Sequence, residues 1–349
     1  MSDLDRARWN GARFDPAGSY ESWFLRANAP SSGDAFWIRY TLFADARAPH
    51  RRCGELWAIA FRAREGRYEV VADKALHPFE PSALAQDGLD LTLGEAHLRD
   101  GEARGSVGSA GSAADGSVGR LDWDLQWSGG GAPLLLLPEA LYAGRFPKAK
   151  ALVPRPLVRF TGRFAIDGEA LGGSGVDGWI GSQNHNWGSR HTDEYAWGQV
   201  AGFDGAPETF LEVSTARVKL GPLKTPWLTP IVLRDGAREL RFSTLFRAAR
   251  NRGRYDERAF VWTFAGEADG VAIEGRIEAP REAFVALPYA NPPGGTKTCL
   301  NTKVARCVVT LREGGRTREL MSERRAAFEI LTDRTDHGIA VERLPDPRG

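Results

Sequence analysis

Leu121-Asp122-Trp123-Asp124-Leu125-Gln126-Trp127 sets large apolar side chains at every second position, with acids and an amide between them. Successive strand side chains point to opposite faces, so this alternation predicts a β-strand with one face in a core and one in water. The same period recurs on either side. Phe36, Ile38, Tyr40 and Leu42 alternate with Trp37, Arg39, Thr41 and Phe43, a strand with both faces partly apolar. Residues 56–61 form a second run, closed by the charged turn at Glu65-Gly66, and 68–71 return beside it. Further strands are expected at 260–264, 271–277, 284–287, 304–311 and 326–331. The turn pairs Asp235-Gly236, Asp269-Gly270 and Gly314-Gly315 fall between extended runs.

Turn signals at intervals of ~10 residues suit sandwiches or barrels. Helical periodicity is scarce; residues 138–142 are expected to make one short turn. At 349 residues the chain exceeds the ~250–300 at which single cores stop growing. Two barrel-like halves are expected, at 1–180 and 181–349, with one large continuous sandwich as the alternative. The Gly-rich stretch 172–178 is the candidate junction, and the Gly/Ser/Ala-rich stretch 105–119 reads as a flexible hairpin tip.

A net charge of +1 carries no footprint for nucleic acid or for an acidic partner. Residues 1–18 are polar and lack the apolar core of a signal peptide. No apolar run approaches the ~20 residues of a spanning helix. A cytoplasmic protein is therefore expected, with peripheral membrane contact left open as a route to an apolar substrate. Cys299 and Cys307 lie eight apart in one extended run, too distant to bridge at ~3.3 Å per residue unless a turn intervenes. Eleven Trp and seventeen Phe supply flat apolar surface for a core or a pocket.

Several letter patterns imitate chemistry. Gly173-Ser-Gly175-Val-Asp-Gly178 matches the dinucleotide fingerprint, but the following Trp179-Ile-Gly-Ser-Gln-Asn has no helical pattern to present an N-terminus to a pyrophosphate. Pro293-Gly-Gly-Thr-Lys297 lacks the spacer and Gly-Lys-Ser/Thr of a phosphate loop. Arg247, Arg250, Arg252 and Arg254 beside Tyr255 read better as a solvated hairpin face than as an RNA surface.

The densest chemistry is Gly178-Trp-Ile-Gly-Ser-Gln-Asn-His-Asn-Trp-Gly-Ser-Arg-His-Thr-Asp-Glu-Tyr-Ala-Trp-Gly-Gln199. In extended chain His185 and Trp187 share one face, and Tyr195, Trp197 and Gln199 share another. Ala196 and Gly198 are small enough for close approach of a neighbouring sheet. Two such strands are expected to line one cavity with an aromatic wall and a few proton-capable groups. His185 also reads as a core histidine bonded to a carbonyl, and the tryptophans as packing. A zinc site from His185, His191 and Asp193 has ligand types without a recognised spacing.

Asn184-His185-Asn186-Trp187-Gly188, followed by Tyr195-Ala-Trp197-Gly, resembles the signature of the carotenoid 1,2-hydratase (hydroxyneurosporene synthase) superfamily. That superfamily includes AttH-like proteins and, more distantly, tocopherol cyclase and fungal Diels–Alderase proteins. The resemblance implies an all-β chain of two lipocalin-like β-barrels side by side, with a hydrophobic ligand at or between them and no cofactor. His185 and Trp187 match the His-x-Trp of the motif. An acidic proton donor is also implied, and Asp193 and Asp204 are the nearest acids.

Two functions follow as expectations. One is a cofactor-independent hydratase or cyclase acting on an isoprenoid or polyene. His185, Tyr195 and Asp193 would then be catalytic, and Trp187, Trp197, Gln199, Asn184 and Gln183 would hold substrate. The other is a lipid or pigment carrier without turnover. An acid facing the aromatic cavity separates the two; His185, Tyr195, Asp193 and Glu212 are the candidates.

Overall fold

The computed structural model describes residues 18–48, 52–79, 84, 88–108, 119–144, 146–220 and 223–349. Strands make up nearly all of its regular structure. The first sheet contains β1 (Ser19–Asn28), β2 (Ala35–Ala44), β3 (Arg52–Arg64), β4 (Arg67–Pro78), β5 (Asp90–Leu93), β6 (Ala96–Arg99) and β7 (Glu102–Val107). It continues with β8 (Leu121–Gly129), β9 (Leu134–Leu135), β10 (Ala149–Ile166), β11 (Glu169–Ala170) and β12 (Trp179–Gly188). Its path is β4-β3-β2-β1-β12-β10-β8-β7-β6-β5, with antiparallel pairing throughout, and it curls into a nearly closed barrel.

β13 (Glu194–Phe203) and β14 (Ala206–Arg217) begin the second sheet. The short β15 (Lys219–Leu220) and β16 (Leu223–Lys224) form a separate ribbon. The sheet resumes with β17 (Ile231–Asp235), β18 (Arg238–Arg241), β19 (Arg252–Asp256), β20 (Val261–Ala268), β21 (Val271–Glu278), β22 (Val285–Ala290), β23 (Thr296–Glu313) and β24 (Arg316–Thr332). Its path is β18-β17-β14-β13-β24-β23-β21-β20-β19, with β22 beside β23. The all-β, two-barrel architecture is thus the one expected.

Helix is confined to short pieces. α1 (Ala140–Ala143) falls where one helical turn was expected. α2 (Leu245–Arg250) was not foreseen; Thr244 caps it by accepting from the Arg247 amide at 3.2 Å. The basic run is accordingly divided, with Arg247 and Arg250 on this helix and Arg252 and Arg254 on β19. Arg247 is engaged by Asp269 at 2.7 Å.

The β8 alternation appears in space as read. Leu121, Trp123, Leu125 and Trp127 are buried in the first barrel, whose interior is filled by packed rings rather than left open. Phe36 stacks on Phe164 at 5.2 Å, and Trp123 donates to the Tyr40 hydroxyl at 3.0 Å. The second core centres on Trp262 and Phe328, 5.9 Å apart.

The Gly-rich stretch 172–178 joins β11 to β12 within the first sheet. Gly172, Gly173, Gly175 and Gly178 supply positive φ there, which explains the glycines without a junction between sheets. The passage between sheets comes at 189–193, after β12 has paired with β1 and β10. Of the stretch 105–119, residues 109–118 lie outside the described residues, as does the amino terminus through residue 17. Cys299 and Cys307 both lie on the continuous β23 and are free thiols, as their separation along one strand requires. Among the described residues no helix is long and apolar enough to cross a membrane.

Candidate functional site

Strand parity places the site residues. Cross-strand partners share a face, and β12 pairs with β1 in the register Trp23↔His185, Phe24↔Asn184 and Arg26↔Ser182. Trp23 belongs to the first barrel's core, so His185 faces that core as well. Its Nε2 lies 2.8 Å from Glu21 Oε1, and its ring stacks on Trp23 at 4.9 Å. Trp187 follows on the same face, 4.7 Å from His185. Gln183 also points inward and accepts from Trp127 Nε1 at 2.9 Å.

The other face of β12 looks toward the second barrel. Asn184 and Asn186 there meet Tyr195 and Trp197 of β13 across a cavity of ≈ 220 Å³. The expected convergence of His185 and Trp187 with Tyr195 and Trp197 therefore does not occur. The two-residue rule correctly joined each pair, but the pairs face different spaces. Asp193 does not line the cavity either: its carboxylate accepts from Arg190 at 2.5 Å and its carbonyl from Lys297 at 2.8 Å. Asp204 pairs with Arg325 and accepts from the Glu323 amide at 3.0 Å.

The zinc alternative fails on geometry. His185 bonds Glu21, His191 bonds the Ala290 carbonyl at 3.1 Å, and Asp193 bonds Arg190, so the three do not converge. Among the described residues no group of three or more His, Cys, Asp or Glu is placed to hold a metal ion.

What the structure does assemble is a polar network between the barrels. Gln199 is its hub. Its Nε2 donates to Asn184 Oδ1 and to Glu212 Oε2, each at 2.8 Å, and its Oε1 accepts from Ser182 at 2.6 Å and Arg26 at 3.1 Å. Trp197 Nε1 donates to the second oxygen of Glu212 at 2.7 Å. Beside it, Lys303 donates to Glu329 at 2.8 Å and to Asn301 at 2.5 Å, and its ammonium sits 5.7 Å from the Trp197 ring centre.

Glu212 is 3% exposed and borders the cavity. Burial lifts its carboxyl from 4.5 to about 7, against the opposing pull of the Trp197 and Gln199 hydrogen bonds and the Arg26 charge. Both protonation states are then accessible near neutral pH. Its aromatic surroundings include Trp197, met edge-on by Phe24 at 5.9 Å, and Trp37, 6.2 Å from Phe24. Tyr195 stands at the same wall, and burial holds its phenol well above the ordinary value. Leu137, Leu141, Phe146, Leu228 and Leu245 make up much of the remaining wall, with Lys150, Thr192 and Ser214 among its polar members.

Of the residues singled out from sequence, the cavity thus takes Asn184, His191, Tyr195, Trp197 and Glu212 directly, with Gln199 bonded behind them. Arg39, Glu329 and Tyr20, which also line it, were not read as site residues. Arg39 and Glu329 carried only one signal, a charge interrupting an otherwise apolar strand face.

No family model matches the chain. Two uncharacterized proteins of Mycobacterium tuberculosis, from strains CDC 1551 and H37Rv, are each 25% identical to it over 310 residues, covering 88% of this chain and 84% of theirs. Among solved structures, CghA bound to Sch210972 superposes with a TM-score of 0.54 at 14% identity, covering 95% of this chain and 97% of that one. Kievitone hydratase from Nectria haematococca gives 0.51 at 12% identity, covering 90% and 89%. A protein assigned as an AttH from Nitrosomonas europaea gives 0.51 at 13% identity, covering 93% and 98%. At these identities the likeness is one of fold, and it is the fold that the Asn184–Gly188 motif implied.

Proposed function

We propose that this chain is a cofactor-independent hydratase or cyclase acting on a hydrophobic isoprenoid or polyene held between its two barrels, with Glu212 as the proton donor. One observation carries the reading: a carboxyl group lifted to about 7 borders an apolar cavity walled by tryptophan. A carrier needs no such acid, and an acid whose pKa lies near the working pH is well matched to proton transfer. That a kievitone hydratase shares this fold supports the reading.

The chemistry balances on this chain's own groups. Glu212 gives its proton to one alkene carbon, and the π pair becomes the new C–H bond. The cation on the adjacent carbon lies among Trp197, Phe24 and Trp37, whose ring faces attract positive charge. Water adds to the cation and the resulting oxonium loses a proton, or a second double bond of the same chain attacks it to form a C–C bond and the new cation so made loses a proton from an adjacent carbon. The proton then released returns to the Glu212 carboxylate. Gln199 and Trp197 hold that carboxylate in place by one hydrogen bond to each oxygen.

The test is deuterium incorporation. Geraniol, farnesol and geranic acid are incubated with the protein in D₂O and examined by mass spectrometry. The reading expects carbon-bound deuterium with wild type and none with Glu212→Gln, while both proteins bind the ligand equally. Binding without incorporation by wild type would favour the carrier.

A further inference from the structure

We infer that the cavity recognises an amphipathic ligand whose head is an oxygen anion of the carboxylate or enolate kind, bound at Arg39. The inference rests on the reading of the cavity as the ligand site and adds the class of ligand.

Arg39 lies on the face of β2 that points away from the first barrel's core, and it lines the cavity at 5% exposure. A guanidinium does not discharge at any ordinary pH. Its Nη2 donates to Ser22 Oγ at 2.8 Å, and its Nε has no hydrogen-bond partner. Among the described residues no carboxylate forms an ion pair with it.

The neighbouring buried lysines differ in this respect. Lys74 pairs with Glu55 at 3.1 Å and Lys303 with Glu329 at 2.8 Å. Arg26, like Arg39, feels carboxylates only at a distance, but it is held by Gln199, Asn28 and the Arg325 carbonyl. Among the described residues Arg39 has no direct carboxylate partner and a single side-chain hydrogen bond, to Ser22, a costly arrangement in a buried site.

Glu55 acts on Arg39 only from beyond ion-pair distance, its carboxylate being bonded to Lys74, and the rings around Arg39 supply no charge of their own. The guanidinium stands 4.9 Å from the Tyr289 ring centre, and Tyr20 and Tyr195 couple to it electrostatically. Burial raises all three phenols, Tyr20 to about 12, so they stay neutral. His191, its ring tilted against Tyr20 with centres 4.3 Å apart, donates to the Ala290 carbonyl and is neutral too. The site therefore combines a cation, an idle N–H donor and a ring of neutral phenols, all bordering a cavity that is otherwise largely apolar. An anionic head with an apolar tail complements it.

Geranic acid and geraniol test this, because they share one isoprenoid chain and differ in the head. Calorimetric titration near neutral pH should show geranate binding wild type roughly tenfold or more tighter than geraniol, as a charge-assisted pair requires. Methyl geranate should behave like the alcohol. Arg39→Gln should abolish the preference and leave geraniol affinity within about twofold, since the neutral head forfeits little at that end. Equal binding of acid and alcohol by wild type would overturn the inference while leaving the cavity reading intact. So would a preference that survives Arg39→Gln. If neither ligand binds, the cavity reading falls and this inference with it. The acid, alcohol and ester series on wild type decides the matter even if Arg39→Gln fails to fold.

Discussion

His185 Nε2 lies 2.8 Å from Glu21 Oε1 on the inner side of the first barrel, with Trp23 stacked on the imidazole at 4.9 Å. This is a structural histidine–carboxylate pair, separated by the thickness of β12 from the cavity that Asn184 and Asn186 border. Replacing His185 by Phe removes the imidazole's bond to a buried carboxyl and should cost roughly 3 kcal/mol of stability. His185→Gln retains a donor and should cost less. Denaturant unfolding of both variants checks the order, and ligand affinity should stay near wild type in each. A His185→Phe protein of unchanged stability would put the histidine back among the functional groups.

Sequence pattern made the fold legible and the site only in part. The alternation at 121–127 and 36–43 identified strands because one face of each fills a barrel. On 121–127 the opposite face meets water, as the alternation implies. Between the two barrels the second faces meet each other instead, and Arg26, Ser182, Asn184, Gln199 and Lys303 are buried there. Asn184-His185-Asn186-Trp187 drew attention to its aromatic members, whereas the cavity takes the amides, one residue out of phase. Spacing within a strand fixes which residues share a face; which face meets the partner barrel depends on register with β1, set 160 residues away at Phe24 and Asn184. Glu212 was visible as an acid on β14, but its raised pKa is a property of burial that no local pattern encodes.

That raised pKa makes a stability prediction. The native carboxyl titrates at about 7 and the unfolded one at 4.5, so the native state keeps a proton that the unfolded state has lost between those values. Stability therefore falls as pH rises from 4.5 to 7 and is flat for this group outside that window. The full difference is roughly 3–4 kcal/mol, at ~1.4 kcal/mol for each pH unit of the window. Glu212→Gln should remove the fall, which unfolding curves at a series of pH values will show. Trp197→Phe deletes a hydrogen bond that favours the carboxylate, so the native carboxyl should titrate still higher and extend proton-dependent turnover to more alkaline pH.

His191 gives the opposite slope. Burial and the Arg39 charge hold its imidazole down at about 3, against 6.5 in the unfolded chain. Between those values the unfolded state binds the extra proton, so stability is lost as pH falls through the window. His191→Gln can still donate to the Ala290 carbonyl but cannot titrate, and should unfold less readily in acid than wild type. An unchanged acid midpoint would show that other groups govern acid unfolding.

Gly198 links the second core to the proton donor. It lies on β13 between Trp197 and Gln199, the two residues that bond Glu212, but on the opposite face, against Trp262 and Ile277. A Cβ there would stand 2.6 Å from Ile277 Cδ1 and 2.9 Å from Trp262 Cζ3. The isoleucine tip can rotate away. The tryptophan is less free, because it donates to Thr215 at 3.1 Å and stacks on Phe328. Gly198→Ala must therefore push β13 outward or displace the indole, at a cost of roughly 1–3 kcal/mol for overpacking. Gly198→Val should cost more. An outward shift of β13 would also disturb the hydrogen bonds to Glu212, so its titration should change in Gly198→Ala even though the substituted side chain never reaches the cavity. Thermal unfolding together with the pH dependence of turnover separates the two effects. A destabilised Gly198→Ala protein with an unaltered pH profile would mean that the core absorbs the methyl group by moving Trp262 and leaves the strand in place.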